Sequence, residues 1–485
     1  MSVVWRNHTG NQSCRPREIV RPGSLQELID LVKRAEGEGT TVRAVGAGHA
    51  WSDVALTDGY LVEPDRLSGV ARPGESTLRE EARGRKLVRV LGGTHLRVLN
   101  EELDRMGLAL PNMGGYDAQT IAGVVSTSTH GSGLRFGPFP ELVRSLDLVV
   151  AGGEALRLEP ADGPTDPAAF ADPTLRLVQD DELFAAAVCG IGTIGLVHSL
   201  MLEVREKFWL NEVRTLSTWE AVRDTLSEDG VLGEGDHYEL FLNPYPQDDG
   251  RHRVLVTRRR DCPERQGEPR DKLQRHPLTE LEASWSLTWF VLRFLARHLP
   301  SLVARRFDAV LAEMCDDGYA NVSYKVFNIG EANHLPAYSM ELGVALDGRH
   351  VEAVDRIVEI ARLRAEEGIY HTSPISLRFV GPSRAYASMM YGQATMMIEL
   401  IMVEGSRGGY ALLEGYEEGL ADLGVRPHWG QYNTLTEARV RALYPRWGQW
   451  LDVERRFNAS GVFDSAFTRR VGISSPAAAA RGPDE

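Results

Sequence analysis

The sequence predicts an α+β fold in more than one domain, and three observations point there. Strand-like and helix-like segments mix along the chain with no internal repeat. The density of small residues falls near Val204, which marks a boundary. With 485 residues, 43% hydrophobic and 25% charged, the chain has material for two to three packed domains and is not composed like a disordered one. On this reading residues 1–205 form a first domain and 206–400 a second, with a mixed or antiparallel sheet. Residues 401–473 form a C-terminal segment packed back on the first domain, and 474–485 a disordered tail with an alanine run.

The elements follow in order. From Ser24 to Glu38 apolar residues recur at helical spacing, with Ser24 as N-cap and Glu27 in capping-box position. Thr41–Val45 reads as a strand ending at a glycine turn. Lys86–Leu91 is another strand, and Leu96–Met106 a helix closed by Gly107. Residues 111–133 are a long run of glycine, serine and threonine. Val143–Val150 is a strand, Gly152-Gly153 a turn, Asp180–Ala187 a helix and Gly195–Val204 a strand. Beyond the boundary, strands are predicted at Tyr238–Leu242, Ile375–Val380 and up to Val403, with helices at Val351–Glu366 and Tyr410–Leu423.

Composition excludes several classes. A net charge of −14 disfavours nucleic acid, whose phosphates need a basic surface. The N-terminus has no apolar signal-like stretch, and no window approaches roughly eighteen uninterrupted apolar residues. The longest candidate, Trp285–Leu299, is cut by Arg293 and Arg297 and reads as an amphipathic helix. Four scattered cysteines (Cys14, Cys189, Cys262, Cys315) indicate neither a disulfide framework nor a zinc site. The expectation is a cytoplasmic protein with no metal and no membrane partner, monomeric or homo-oligomeric.

Three glycine-rich segments carry the chemistry. Val45-Gly46-Ala47-Gly48-His49-Ala50-Trp51-Ser52-Asp53 places an imidazole after two near-adjacent glycines, so a cofactor can lie on bare backbone with a ring nitrogen at its edge. Alone, the segment reads first as an ordinary tight turn followed by a satisfied histidine. Gly190-Ile191-Gly192-Thr193-Ile194-Gly195 matches the dinucleotide fingerprint, but it lies between a helix and a following strand, the wrong order for a Rossmann site. Residues 112–133 offer many amides and hydroxyls with little bulk, as a phosphate-bearing cofactor needs, and no Walker lysine follows. Flavin adenine dinucleotide, with its pyrophosphate and its length, can touch all three.

These blocks, with Arg426-Pro427-His428-Trp429-Gly430 and Arg456-Phe457-Asn458-Ala459-Ser460-Gly461-Val462-Phe463, resemble the vanillyl-alcohol oxidase superfamily. More narrowly, they resemble its sugar-1,4-lactone oxidase and alditol oxidase group. The resemblance implies a PCMH-type FAD-binding domain over 1–205, an α+β substrate domain, and a C-terminal segment that completes the active site. It implies that His49 bonds covalently to the flavin 8α-methyl carbon. It places Val45, Gly46, Ala47, Gly48, Ala50, Ser52 and Asp53 against the cofactor, with Gly114, Gly115, Gln119, Thr120, Gly123, Thr127, Thr129, His130 and Gly131 along it. Gly192, Ile194 and His428 complete that set. No cysteine lies between Leu110 and Gly133, so a second thioether link is not expected. Glycine at Gly114, where alanine goes with dehydrogenases, implies dioxygen as acceptor.

In the substrate half, relatives carry Pro-x-Glu-x-Arg, and a lysine after His-Trp. This chain has Pro374-Ile375-Ser376-Leu377-Arg378 and His428-Trp429-Gly430-Gln431. Ser376 and Arg378 share one strand face and are expected to point into a cleft, with Arg378 stabilising negative charge. His428 and Gln431 are expected to orient a hydroxyl. Glu399, alone in the apolar strand Met396–Ile401, is either the missing acid or a partner for an internal arginine. The expected activity is oxidation of a CH–OH group of a sugar lactone, alditol or related alcohol by hydride transfer to flavin, with hydrogen peroxide as product. The alternatives are a dehydrogenase using another acceptor and a flavin-binding protein without turnover.

Overall fold

The first helix, Leu25–Gly37, starts where the Ser24 hydroxyl accepts the amide of Glu27 at 3.2 Å. The Glu27 carboxylate reaches one residue beyond a capping box, to the amide of Gly23 at 3.0 Å. Leu28, Ile29, Val32 and Ala35 seal this helix onto Val149 and Leu196 of the neighbouring sheet. The computed structural model describes residues 4–227, 230–233, 237–264, 285–329 and 336–474. Of the expected tail, only Ser474 lies within them.

Two sheets build the N-terminal half. Glu18–Val20, Tyr60–Val62 and Val42–Ala44 form a parallel three-stranded sheet with Tyr60–Val62 central. A six-stranded sheet runs Leu175–Gln179, Ala155–Glu159, Val143–Val149, Leu196–Glu203, Leu87–Leu91, Val70–Ala71, with its first pair parallel and the rest antiparallel. The Leu96–Arg105 helix stops at Gly107, whose φ of +71° suits a residue without Cβ. The 111–133 run is not all loop. Ile121, Val124 and Val125 fall at i, i+3 and i+4, and their burial supports a short helix, Ile121–Ser126. The 190–195 turn links the Asp181–Ala187 helix to the Leu196–Glu203 strand, the order that rules out a dinucleotide fingerprint.

The eight-stranded sheet that follows is wholly antiparallel. Its order is Asp316–Val322, Trp209–Thr218, Arg253–Cys262, His237–Leu242, Ile375–Val380, Thr395–Val403, Ala337–Ala345, Arg426–Pro427. Side chains alternate across it. Leu240, Leu377, Ile398 and Leu342 face a core that includes residues of the Arg349–Glu366 and Gly409–Gly419 helices. The latter is shorter than expected and gives way to a 3₁₀ turn at Ala421–Leu423. The opposite face is polar: Glu212, Arg259, Glu239, Arg378, Glu399 and Glu341 occupy alternate positions in successive strands, toward the N-terminal half.

Candidate active site

Glycines bring the three predicted segments together. A Cβ on Gly46 would stand 2.1 Å from the Thr120 hydroxyl, so the two turns touch only because Gly46 has none. The amides of Gly46, Ala47, Gly48, His49 and Ala50 meet no protein acceptor among the described residues. Five successive bare amides are donors that an anion can satisfy. The Thr120 hydroxyl, the Asn112 amide nitrogen and the Gln431 carbonyl are also buried without partners. Orphaned polar atoms gathered at one site call for a ligand that satisfies them. This donor set fits a pyrophosphate-bearing cofactor such as FAD.

His49 is the fourth of those five residues. Its Nε2 lies 3.0 Å from the Tyr116 hydroxyl, and the His8 ring lies tilted against it with centroids 4.3 Å apart. Burial, and then the nearby His8 and His95, push its pKa down to about 3, so the imidazole is neutral at physiological pH.

Other predicted cofactor residues are placed differently. The Ser52 hydroxyl donates to the Trp429 carbonyl at 2.6 Å, and the Trp51 amide donates to Gly430 O at 2.7 Å. Ser52 thus ties the turn to the His428-Trp429-Gly430 motif. Asp53 pairs with Arg470 at 2.5 Å, an anchoring contact. The Thr127 hydroxyl donates to Gly123 O at 3.0 Å and lies 3.3 Å from the Thr129 hydroxyl, so both serve the local turn. Gly131 is glycine because Asn112 and Met113 O would lie within 2.5 Å of a Cβ. Gly115 packs on Ile329, and a Cβ on Gly123 would lie 3.2 Å from the Thr120 hydroxyl. A Cβ on Gly114 would stand 3.2 Å from His130 O. Val45 donates its amide to Val62 O, Gln119 O accepts the Leu96 amide, and Ile194 is buried in the core. Gly192 O accepts from Arg43 at 2.8 Å. Arg43 escaped the sequence reading: fully buried, it also donates to the carbonyls of Val54, Ile191 and Phe463, and so joins three motif blocks.

The substrate half departs most from expectation. Ser376 does not open into a cleft; it is buried, with its hydroxyl 3.4 Å from Glu239. Arg378 is enclosed by carboxylates: Nε to Glu239 at 2.9 Å, and Nη1 to Glu399 at 2.7 Å and to Glu341 at 3.6 Å. A chain of ion pairs continues inward from Glu239 to Arg259 at 3.0 Å, then to Glu212 at 2.6 Å and Arg214 at 3.0 Å. Burial raises the Glu239 carboxyl, but Arg378 and Arg259 outweigh it and hold it at about 2. Burial likewise opposes ionisation of Glu341, and His130, His428 and Arg378 hold it below the usual carboxylate range. Glu399 goes the other way, raised by burial and by Glu341 and Glu239 against the pull of Arg378.

Three guanidinium groups therefore face four carboxyl groups, and beside them His130 Nε2 lies 3.3 Å from Glu341 Oε1. His130 Nδ1 faces Gly131 O at 2.9 Å, which makes that nitrogen the donor. His428 is neutral, its pKa pushed to about 4 by burial, and its Nδ1 accepts the Gly430 amide at 3.0 Å. Glu239 and Glu341 were missed by the sequence reading. Each is a lone carboxylate in an apolar strand, the same signal that singled out Glu399.

The halves interlock here. Gly133 donates its amide to Phe379 O at 2.6 Å, Phe379 donates to the Ser132 hydroxyl at 3.2 Å, and His428 donates to Glu341 O at 2.9 Å. Among the described residues no helix is long and apolar enough to cross a membrane.

Comparison with known proteins gives this geometry a family. A model of the FAD binding domain matches residues 16–159, and one of D-arabinono-1,4-lactone oxidase matches residues 200–471. An L-gulono-1,4-lactone dehydrogenase of Mycobacterium tuberculosis is 30% identical over 97% of this chain and 99% of its own length. An alditol oxidase of a Streptomyces species is 27% identical (97% and 99%), and the Mus musculus L-gulonolactone oxidase 23% (97% and 98%). A solved solvent-stable cholesterol oxidase superposes with a TM-score of 0.77 over 97% of both chains at 14% identity, a likeness of fold. The chain belongs to the D-arabinono-1,4-lactone oxidase family, within the vanillyl-alcohol oxidase superfamily of FAD-binding proteins.

Proposed function

We propose that this protein is an FAD-dependent oxidase acting in the cytoplasm on a CH–OH group of a sugar lactone, alditol or related alcohol, with dioxygen as acceptor. One observation carries the reading: a run of bare amides that includes a neutral histidine stands beside a buried carboxylate–arginine cluster. When bound, FAD supplies the hydride acceptor and hands the electrons to dioxygen, yielding hydrogen peroxide.

The chain's own groups do the rest. The amides of residues 46–50 and the Thr120 hydroxyl bind the cofactor. His49, held neutral, keeps a lone pair for the covalent link at the flavin 8α-methyl. Glu341, ionised and with Oε1 outside hydrogen-bond alignment, takes the substrate hydroxyl proton as the hydride departs. The unpartnered Gln431 carbonyl and the Nε2–H of His428 orient that hydroxyl. Glu399, its carboxyl raised by burial, accepts from Arg378 at 2.7 Å and fixes that guanidinium. Arg378 keeps Glu239 and Glu341 ionised rather than stabilising developing charge alone, and Ser376 supports Glu239. Glu239, on the strand beside Arg378, thus takes the part of the glutamate that Ser376 replaces.

The test is an anaerobic panel of lactones, alditols, aryl alcohols and sterols. At least one lactone or alditol is expected to bleach the flavin, and air to restore the colour with stoichiometric peroxide. Bleaching by none of them overturns the proposal. The dehydrogenase reading, which the mycobacterial relative favours, requires reoxidation by an artificial acceptor but not by air. Acid precipitation should leave the colour on the wild-type chain and remove it from His49→Ala; colour retained by the variant refutes the anchor.

A further inference from the structure

We propose that the Trp285–His298 helix and the adjoining Pro300–Ala304 helix form a docking surface for an anionic lipid bilayer. The inner side of this hairpin is ordinary: Ala296, Val303, Ala304 and Phe307 are buried, and Leu292 and Leu295 pack against them. Its outer side is not. Phe290 is 67% exposed, Val291 46%, Phe294 50%, Leu299 47% and Leu302 42%. A surface helix normally turns polar residues to water, so a contiguous apolar band on its outer face marks an interaction surface.

Charge decides what covers the band. From Trp285 to Phe307 the sequence contains no aspartate or glutamate, while Arg293, Arg297, Arg305 and Arg306 lie among the apolar residues. That run is basic in a chain whose net charge is −14. Arg293 has a distant carboxylate partner, Glu404 at 3.8 Å; Arg297, Arg305 and Arg306 are exposed and have none among the described residues. A protein partner favours an apolar centre depleted of charge, with polar groups at the rim. The exposed pair Arg305 and Arg306, close in sequence to exposed Leu299 and Leu302, instead matches a bilayer interface, where apolar side chains enter the acyl boundary and guanidinium groups remain with the phosphates. This departs from the expectation that the chain has no membrane partner.

The location adds a consequence. Arg297 and His298, with Tyr338, Tyr410, Glu404 and Asn11, line a cavity of about 700 Å³. The Asn11 side-chain amide donates to Trp51 O at 3.1 Å, so this cavity shares a wall with the His49 turn. A docked helix would hold that cavity against the lipid surface.

The experiment is co-sedimentation of the holoenzyme with vesicles of phosphatidylcholine containing roughly one third phosphatidylglycerol, beside vesicles of phosphatidylcholine alone. Binding is expected on the anionic vesicles only, and about 0.5 M salt should weaken it. Phe290→Ser with Phe294→Ser, and separately Arg305→Glu with Arg306→Glu, should each lower the bound fraction at least ~tenfold while flavin absorbance and melting temperature stay at wild-type values. The arginine pair keeps the test alive if the serine pair folds poorly. Absent binding, or binding that neither pair changes, overturns the proposal. So does a wild-type dimer, seen by light scattering, that the serine pair dissolves, because the band would then be an interface between two copies of this chain.

Discussion

Glu239 and Glu341 both contact Arg378, yet they differ in what they sustain. Glu239 lies between two buried guanidinium groups, so Glu239→Gln strands positive charge, which costs on the order of 3–5 kcal/mol in a buried pair. Its carboxyl is depressed from 4.5 in the unfolded chain to about 2. The unfolded chain therefore binds the extra proton between those values. The stabilisation from Glu239 is complete above pH 4.5 and is lost as pH falls toward 2. Urea unfolding of the wild type should weaken steeply over that window, and Glu239→Gln should be less stable at neutral pH with a flatter acid limb. Equal acid limbs would contradict the assignment. Glu341 instead has an oxygen that no protein donor satisfies. Glu341→Gln should lower the rate of anaerobic flavin reduction by roughly 10²–10⁴ while KM changes little. A proportional loss in both constants would make Glu341 a binding group.

At the scale of elements, the cradle depends on two turns in contact. Gly46→Ala drives a methyl group into the Thr120 hydroxyl and should reduce flavin retention at least ~tenfold, read from the ratio of flavin to protein absorbance. Thr120→Ala should retain more flavin, and the double variant should regain part of the loss, because the shortened side chain makes room. A double variant no better than Gly46→Ala would place the damage elsewhere. The sequence was legible where one period governs a segment. The Leu25–Gly37 and Arg349–Glu366 helices and the Ile375–Val380 strand lie within two residues of their expected ends, because burial on one face or both sets their pattern. The Ile121–Ser126 helix was hidden by glycine, serine and threonine, whose local preferences point to loops, and only tertiary packing selects it. The glycine turns were legible from local composition. The ion network was not: pairing Glu239 with Arg378 and Glu341 with Glu399 requires strand register, and register across long connections leaves no local trace.

The largest core draws on both halves of the molecule: Val45 and Leu110, Tyr319 and Phe327, Val380 and Met397, Trp429 and Trp450. Loss of far-UV circular dichroism and release of flavin should therefore coincide in a single urea transition, and two separated transitions would show that the halves unfold independently. Arg43 extends this dependence into time. Its buried guanidinium, with a pKa lowered to about 10 by burial, donates through both terminal nitrogens to carbonyls of Val54, Ile191, Gly192 and Phe463. A nascent chain short of Phe463 lacks one of those acceptors, and lacks Val462 O, which pairs the Val42 amide beside the flavin turn. The cradle is thus completed by residues some 420 positions further along the chain, and a product truncated before Val462 identifies itself by staying colourless.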